Sequence, residues 1–197
     1  NAAGEMAAIV ERHVRPADLI VKPRRGQFYV LDKQGENGIR HVLYQAQESD
    51  EGGTFITPTV DGNLLIGPTS ENVPSFHSTQ TTRKGLAHLE AVAHKLLPEL
   101  DLGQAITNFA GVRANITNVE KEKKDFVLRV SAPRMVSALG IKNPGMTASP
   151  YLAERIVQLL QKEGLVAEAN PAFDPVLPPQ PRLVELPHAQ QQGWVAK

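Results

Sequence analysis

Short strand patterns that follow one another with only turns between them are the feature that most constrains this fold. Apolar and β-branched residues dominate 28–32, 40–47, 54–59 and 63–66, and the segments between them are rich in Gly, Asn and Asp. Turns this short connect antiparallel neighbours, because a parallel pair needs a crossover of about a dozen residues or more. We therefore predict an antiparallel meander of four strands rather than a βαβ arrangement.

Further patterns complete the predicted fold. Apolar residues recur every three or four positions over 81–97 and 147–160, which predicts two long helices, and a shorter helix is expected over 1–12. Three more strands are expected, over 106–116, 126–130 and 135–139. The predicted fold class is α+β, with an antiparallel sheet of about six or seven strands and two long flanking helices.

Composition excludes several classes of function. The 197 residues carry 21 basic and 21 acidic side chains, so the net charge is zero, whereas nucleic-acid binders are usually strongly basic. The lack of cysteine excludes a disulfide scaffold and a cysteine nucleophile within this sequence. The six histidines show no ligand spacing, so no metal site is predicted. We find neither a signal peptide nor an apolar run near the ~20 residues of a membrane helix, and expect a cytoplasmic protein.

The connection into the second long helix is the first candidate for chemistry. Residues 140–153 (GIKNPGMTASPYLA) place a Pro-Gly loop before a helix, for which Thr147 or Ser149 is the predicted cap and Pro150 suits the first turn. A helix N-terminus offers unpaired N–H groups and a partial positive charge, which suits a phosphate or an anionic reduced cofactor. Most such turns are only turns, and from these residues alone both interpretations stay open.

Two arginine-containing segments are the other candidates. Arg113 lies among apolar residues of the predicted strand 106–116. It either faces solvent or reaches into a pocket to hold a carboxylate or phosphate. Arg24 and Arg25 precede Gly26, where they form either an anion site or a solvated turn. For Arg24 taken alone, the solvated turn is the favoured interpretation.

Five motifs occur in order along the chain: NAAG at 1–4, PRRGQFYVLD at 23–32, TPTVDGNLLIGPT at 57–69, FAGVR at 109–113 and GIKNPGMTASPYLA at 140–153. Together they resemble the D-amino-acid-oxidase-like superfamily of FAD-dependent oxidoreductases, in its branch of glycerol-3-phosphate dehydrogenases and L-2-hydroxyglutarate oxidases. Ala114 replaces the proline that usually follows the arginine of this motif. The resemblance covers about residues 1–165.

The resemblance implies that the chain is part of a two-domain flavoprotein. Residues 1–22 would end the FAD-binding portion, and 23–139 would form the substrate-binding domain. Residues 140–165 would return as an FAD-facing loop and helix, and 166–197 would be a proline-rich linker or tail. A missing N-terminal half with a GxGxxG motif is expected to bind the diphosphate of FAD. A downstream iron–sulfur domain is expected if the protein is of the anaerobic glycerol-3-phosphate dehydrogenase type.

The resemblance also implies residues of the site. Arg113 would bind the anionic group of a small substrate, and Arg25 and Tyr29 would be further substrate-binding residues. The residues implied to bind FAD are Ala3, Gly4, Gly140, Asn143, Pro144, Gly145, Met146 and Thr147. No general base is assigned, and it is expected to lie in the missing half.

The implied reaction is hydride transfer from an anionic alcohol, as in glycerol-3-phosphate dehydrogenases, to flavin. The alternatives are an L-2-hydroxyglutarate oxidase or an amine oxidase of the same superfamily and, from another class, a non-catalytic binding module. The isolated chain is expected to bind FAD poorly, to be inactive and to self-associate through apolar surfaces. A membrane surface or an electron acceptor is a further expected partner.

Overall fold

Eight strands, four α-helices and one short 3-10 helix (Leu102–Gln104) lie in the part of the chain that the structure describes. In this computed structural model that part comprises residues 5–14, 19–33, 38–44, 53–118, 125–168, 170–176, 182 and 185–195. The helices are α1 (Glu5–Val14), α2 (Arg83–Leu96), α3 (Gly145–Lys162) and α4 (His188–Val195). The strands are β1 (Leu19–Leu31), β2 (Leu43–Tyr44), β3 (Phe55–Pro58), β4 (Leu64–Gly67), β5 (Glu71–Asn72), β6 (Ala105–Asn118), β7 (Val127–Ala132) and β8 (Met135–Leu139). The chain divides into one unit, Asn1–Leu165, and a second, Val166–Lys197.

A six-stranded antiparallel sheet forms the centre of the first unit. Its strand order is β2–β3–β4–β1–β5, and β6 also pairs with β1. Strands β4 and β5 pair with the two halves of β1 along one edge, so β6 occupies the other edge along its full length. The predicted meander is wrong at its first strand, because β1 pairs with β4 and not with the next strand, β2. Strand β5 was not predicted, since two residues leave no pattern.

The ladder between β1 and β6 is much longer than the sequence predicts. It runs from Leu19 opposite Asn118 to Leu31 opposite Ala105. The sequence predicts β1 only from residue 28, because Pro23 and the charged residues after it have low strand propensity. Pairing with a partner strand overrides such local preferences. The solvated-turn interpretation of Arg24 is therefore wrong, since Arg24 lies within β1 and is buried.

Side chains of this two-stranded ribbon alternate between two faces. The first, which we call the α2 face, contacts α2 and carries Arg25, Gln27, Tyr29 and Leu31 of β1. The second, which we call the Arg113 face, carries Arg24, Gly26 and Phe28 of β1 and, opposite them, Arg113, Gly111 and Phe109 of β6.

The hydrophobic core of the first unit lies between the sheet and α2. Its buried residues are Leu31, Ile56, Leu64, Ile66, Leu89, Ala93 and Leu100. The predicted apolar face of the helix over 81–97 is confirmed, since Leu89 and Ala93 are buried, and Leu86 and Leu96 pack against the same core. Helix α2 begins after Thr82, whose Oγ1 accepts a hydrogen bond of 3.1 Å from the N–H of Gly85.

The last two strands do not join the main sheet. Strands β7 and β8 form a separate two-stranded antiparallel sheet, which α1 and α3 contact. The sequence predicts one sheet of six or seven strands. The structure instead has a sheet of six strands and a separate hairpin of two. The division into an FAD-binding portion and a substrate-binding domain stays a prediction.

The second unit contains α4 within the segment that the sequence predicts as an extended proline-rich tail. The Nε2 of Gln191 donates a hydrogen bond of 2.7 Å to the carbonyl oxygen of Leu186. Among the described helices of both units, none is long and apolar enough to cross a membrane.

Candidate functional site

Two guanidinium groups stand opposite each other on the Arg113 face. Arg24 of β1 and Arg113 of β6 are direct partners in the ladder, so their side chains leave the sheet on the same side. The Nη2 of Arg113 donates a hydrogen bond of 2.9 Å to the carbonyl oxygen of Thr69. The Nε of Arg24 donates one of 2.6 Å to the Oγ of Ser70. Two consecutive residues after β4 thus contact both arginines.

The electrostatics of Arg113 favour a bound anion. Burial, and next the nearby charge of Arg24, lower the pKa of Arg113, although the group stays protonated at neutral pH. Across the described ranges, no carboxylate pairs with Arg113. A phosphate or carboxylate beside this guanidinium would offset both the burial of its charge and the repulsion from Arg24. It would also accept hydrogen bonds from the remaining N–H groups of Arg113.

Two glycines leave room around the Arg113 side chain. A Cβ atom at Gly26 would lie 3.2 Å from the Nη2 of Arg113 and 3.3 Å from the carbonyl oxygen of Thr69. Gly111, the ladder partner of Gly26, has open space, because no atom of the described residues lies within 4 Å of where its Cβ would be. The face beside the guanidinium is therefore accessible to a small ligand.

An aromatic pair adjoins the glycines on the same face. The rings of Phe28 and Phe109 are stacked, with centroids 5.0 Å apart and 13° between their planes. Phe109 is about half exposed. An apolar surface beside a few convergent polar groups is typical of small-molecule sites. The sequence did not single out this pair, because its common face is visible only from the strand register.

Arg25 and Tyr29 lie on the α2 face and not beside Arg113. The Nη2 of Arg25 donates a hydrogen bond of 2.8 Å to the Oε2 of Glu71, and its Nη1 donates one of 2.8 Å to the carbonyl oxygen of Gln80. The hydroxyl of Tyr29 donates a hydrogen bond of 2.9 Å to the Oε1 of Glu90. The structure therefore does not bring together the three residues predicted to bind substrate.

The contact between Tyr29 and Glu90 predicts a pH-dependent stability. Burial, then the hydrogen bond to Glu90 and its charge, raise the pKa of Tyr29 from 10.0 to about 12. Because the folded pKa is the higher one, this contribution is complete below pH 10 and is lost as the pH rises towards 12. We expect the free energy of unfolding of the full-length protein to fall more steeply over this range than that of Tyr29→Phe. Urea titrations at several pH values measure the difference.

The control for this prediction is Tyr44→Phe, which changes a tyrosine that is 64% exposed. This variant should keep the wild-type slope of unfolding free energy against pH. Equal slopes for Tyr29→Phe and the wild type would contradict the prediction.

Helix α3 begins earlier than the sequence predicts. Its first residue is Gly145, Pro144 occupies the N-cap position, and no side chain caps the helix. The predicted cap, Thr147 or Ser149, is therefore wrong. The Oγ of Ser149 instead donates a hydrogen bond of 2.8 Å to the carbonyl oxygen of Met146. That carbonyl lacks its usual helical donor, because Pro150 lies inside the helix and has no N–H.

The first turn of α3 retains unused backbone donors. The N–H of Gly145 donates to the carbonyl oxygen of Lys142, and that of Ala148 donates to the carbonyl oxygen of Pro144 at 3.0 Å. Within the described residues, the N–H groups of Met146 and Thr147 have no acceptor. Both side chains are exposed, so this helix start is open to a group that carries negative charge.

The residues predicted to bind FAD divide into buried and exposed ones. Gly140 and Gly145 are buried. Gly140 has a φ of +67°, and its Cβ would lie 2.7 Å from Ile116, so packing alone requires glycine there. The exposed residues are Asn143, Pro144, Met146 and Thr147. Ala3 and Gly4 lie outside the described residues. The exposed group, with its free N–H donors, fits the charged edge of a flavin cofactor.

The family model of FAD-dependent oxidoreductases matches residues 1–159. The chain belongs to this family, which confirms the resemblance of the five motifs. A glycerol 3-phosphate dehydrogenase of Caloramator mitchellensis is 33% identical over 199 residues, which cover 100% of this chain and 40% of the relative. An L-2-hydroxyglutarate dehydrogenase of Arabidopsis thaliana is 24% identical over 79% of this chain and 36% of its own length.

The fold also matches a solved structure of the same family. Dithionite-reduced L-α-glycerophosphate oxidase from Mycoplasma pneumoniae, with FAD bound, has a TM-score of 0.69 and is 30% identical to this chain. The match covers 80% of this chain and 41% of that structure. The chain thus spans about two fifths of the length of these relatives.

Proposed function

We propose that the full-length protein oxidises glycerol 3-phosphate with FAD as cofactor, and that this chain supplies the surface that binds the phosphate group. The observation that carries the proposal is the Arg113 guanidinium, half-buried opposite Arg24 and without a carboxylate partner in the described ranges. The 33% identity to a glycerol 3-phosphate dehydrogenase over the whole chain supports the substrate.

The charge of the Arg113 face favours a phosphate over a carboxylate. A phosphate monoester carries close to two negative charges at neutral pH, because its second pKa is about 6. Arg113 can offer a planar fork of N–H donors, and Arg24 adds a second positive charge on the same face. A dianion gains more than a monoanion from two cations. The two charges of L-2-hydroxyglutarate lie on separate carboxylates, so only one of them can occupy this site, and the phosphate of glycerol 3-phosphate is favoured there.

The start of α3 is the proposed contact to the cofactor in this chain. The backbone N–H groups of Met146 and Thr147 would donate to the flavin, and the adjacent Asn143 would border it. When bound, FAD accepts the hydride that leaves the alcohol carbon. The stacked rings of Phe28 and Phe109 would exclude water beside the phosphate site.

The test uses the full-length protein under anaerobic conditions. Glycerol 3-phosphate, L-2-hydroxyglutarate and glycine are added separately, and the visible flavin absorbance is recorded. We expect glycerol 3-phosphate alone to bleach the flavin. Bleaching by L-2-hydroxyglutarate or glycine instead would overturn the proposed substrate. A full-length protein that takes up no FAD would overturn the cofactor assignment.

A further inference from the structure

We infer that Thr69 is a positioning residue, which fixes the place of the Arg113 guanidinium and thereby sets the affinity for the anionic substrate. The inference rests on the proposed function, because Arg113 is the proposed ligand of the anion. The contact itself is direct, since the carbonyl oxygen of Thr69 accepts a hydrogen bond of 2.9 Å from the Nη2 of Arg113.

Thr69 is held to β1 by two reciprocal hydrogen bonds. Its N–H donates to the carbonyl oxygen of Gln27 at 3.1 Å, and its Oγ1 accepts from the N–H of Gln27 at 3.0 Å. Both residues are buried, Gln27 completely. A residue held through its backbone and its side chain at once has little freedom to rotate. The direction of the Thr69 carbonyl is therefore fixed by the fold and not by the ligand.

Gln27 in turn joins this pair to the start of α2. Its Oε1 accepts a hydrogen bond of 2.7 Å from the N–H of Thr82, and its Nε2 lies 3.3 Å from the Oγ1 of the same residue. Thr82 is the N-cap of α2, which packs on the core. Thr69 is thus anchored to the rigid α2 face, while its carbonyl oxygen reaches the Arg113 face.

The same hydrogen bond decides which donors of Arg113 remain for a ligand. One N–H of Nη2 is directed at Thr69, and Gly26 leaves the space in which this bond forms. No other acceptor among the described residues contacts this guanidinium, so its other N–H groups are available to an anion. Loss of the Thr69 anchor would leave Arg113 charged and present but free to adopt several rotamers, which lowers affinity through conformational entropy.

The test compares Thr69→Val with two matched variants in the full-length, FAD-loaded protein. Thr69→Val removes the Oγ1 acceptor at nearly constant volume, whereas Thr69→Ser retains it. Thr54→Val is the control: Thr54 is also buried, and its Oγ1 donates a hydrogen bond of 3.1 Å to the carbonyl oxygen of the neighbouring Pro68. Titration calorimetry with inorganic phosphate gives Kd, and steady-state kinetics with glycerol 3-phosphate gives KM and kcat.

We expect Thr69→Val to raise both Kd and KM about five- to tenfold, as for the loss of one buried hydrogen bond, with kcat nearly unchanged. Thr69→Ser and Thr54→Val should stay within about twofold of the wild type. Should Thr69→Val not fold, Gly26→Ala takes its place, because the new Cβ enters the space of the same hydrogen bond. An effect of Thr69→Val no larger than that of Thr54→Val would overturn the inference.

A double-mutant cycle separates the inference from the proposed function. If Thr69 acts through Arg113, Thr69→Val adds nothing to the loss of affinity in Arg113→Ala. An equal loss in both backgrounds would overturn the positioning role. An Arg113→Ala variant that binds phosphate and substrate like the wild type would instead overturn the proposed anion site.

Discussion

Arg113→Ala is expected to raise the KM for glycerol 3-phosphate about 100-fold or more and to weaken the binding of inorganic phosphate by a similar factor. In the proposed complex, Arg113 donates at least two charge-assisted hydrogen bonds to the anion, which the change would remove. Each is worth about 1.5–3 kcal/mol, and tenfold in affinity corresponds to about 1.4 kcal/mol. The expected kcat is affected less, because the phosphate group does not react. Steady-state kinetics on the full-length enzyme gives both values.

Two variants show whether the charge of Arg113 or the planar geometry of its guanidinium is responsible for the affinity for substrate. Arg113→Lys keeps the charge but lacks the planar fork, so its KM should lie between those of the wild type and Arg113→Ala. Arg134→Gln removes one positive charge from an exposed residue between β7 and β8 and should leave KM unchanged. A KM in Arg113→Ala that equals the wild-type value would place the anion site elsewhere.

Gly85→Ala is expected to destabilise the protein by about 2 kcal/mol or more, although the same substitution in most helices is stabilising by up to about 1 kcal/mol. A Cβ at Gly85 would lie 2.0 Å from the Nε2 and 2.4 Å from the Cδ of Gln27. Gln27 is completely buried and bound to Thr82, so its side chain has no space into which to move. The helix would have to shift away from β1.

The unfolding midpoint of the full-length protein in urea measures this effect. The matched control is Gly193→Ala in α4, where no atom of the part of the chain that the structure describes lies within 4 Å of the new Cβ. That variant should be as stable as the wild type or slightly more so. A Gly85→Ala protein with the midpoint of Gly193→Ala would mean that Gln27 is not locked between β1 and α2.

The sequence predicts those elements whose pattern is local. The apolar residues of α2 recur at helical spacing, which can be recognised without knowing what the helix packs against. Its buried face is the one expected. The family motifs likewise make Arg113 a candidate for substrate binding without any knowledge of the sheet, and this assignment stays a prediction. Strand β1 is different, because its first half is stabilised by β6, which follows α2 in the chain. Non-local pairing of this kind leaves no trace in the local sequence.

The unrecognised first half of β1 explains why the sequence could not show which candidate residues share a face of the sheet. When a segment is not recognised as a strand, the rule that successive side chains point to opposite faces cannot be applied to it. Neighbours such as Arg24 and Arg25 are then interpreted from the adjacent sequence alone. The strand places Arg24 beside Arg113 and turns Arg25 and Tyr29 towards α2. Thr69 was part of a motif but not of the predicted site, because its contribution to the Arg113 face is a backbone carbonyl, which no side-chain pattern reveals.

The start of α3 shows a second limit of sequence patterns. Threonine and serine at a predicted helix start are the usual caps, which favoured Thr147 and Ser149. The hydroxyl of Ser149 is used instead to satisfy the carbonyl of Met146, which Pro150 leaves without a donor. A serine can either cap a helix or donate a hydrogen bond to a carbonyl within it. Only the position of the first helical turn shows which of these roles Ser149 has.

The central position of β1 also bears on synthesis of the protein. As the chain leaves the ribosome, β4 and β5 follow β1 soon enough to cover one of its edges. The other edge keeps its N–H and C=O groups unpaired until α2 and then β6 have emerged. A long exposed strand edge invites pairing with other nascent chains, so this stretch is where chaperone protection during translation matters most.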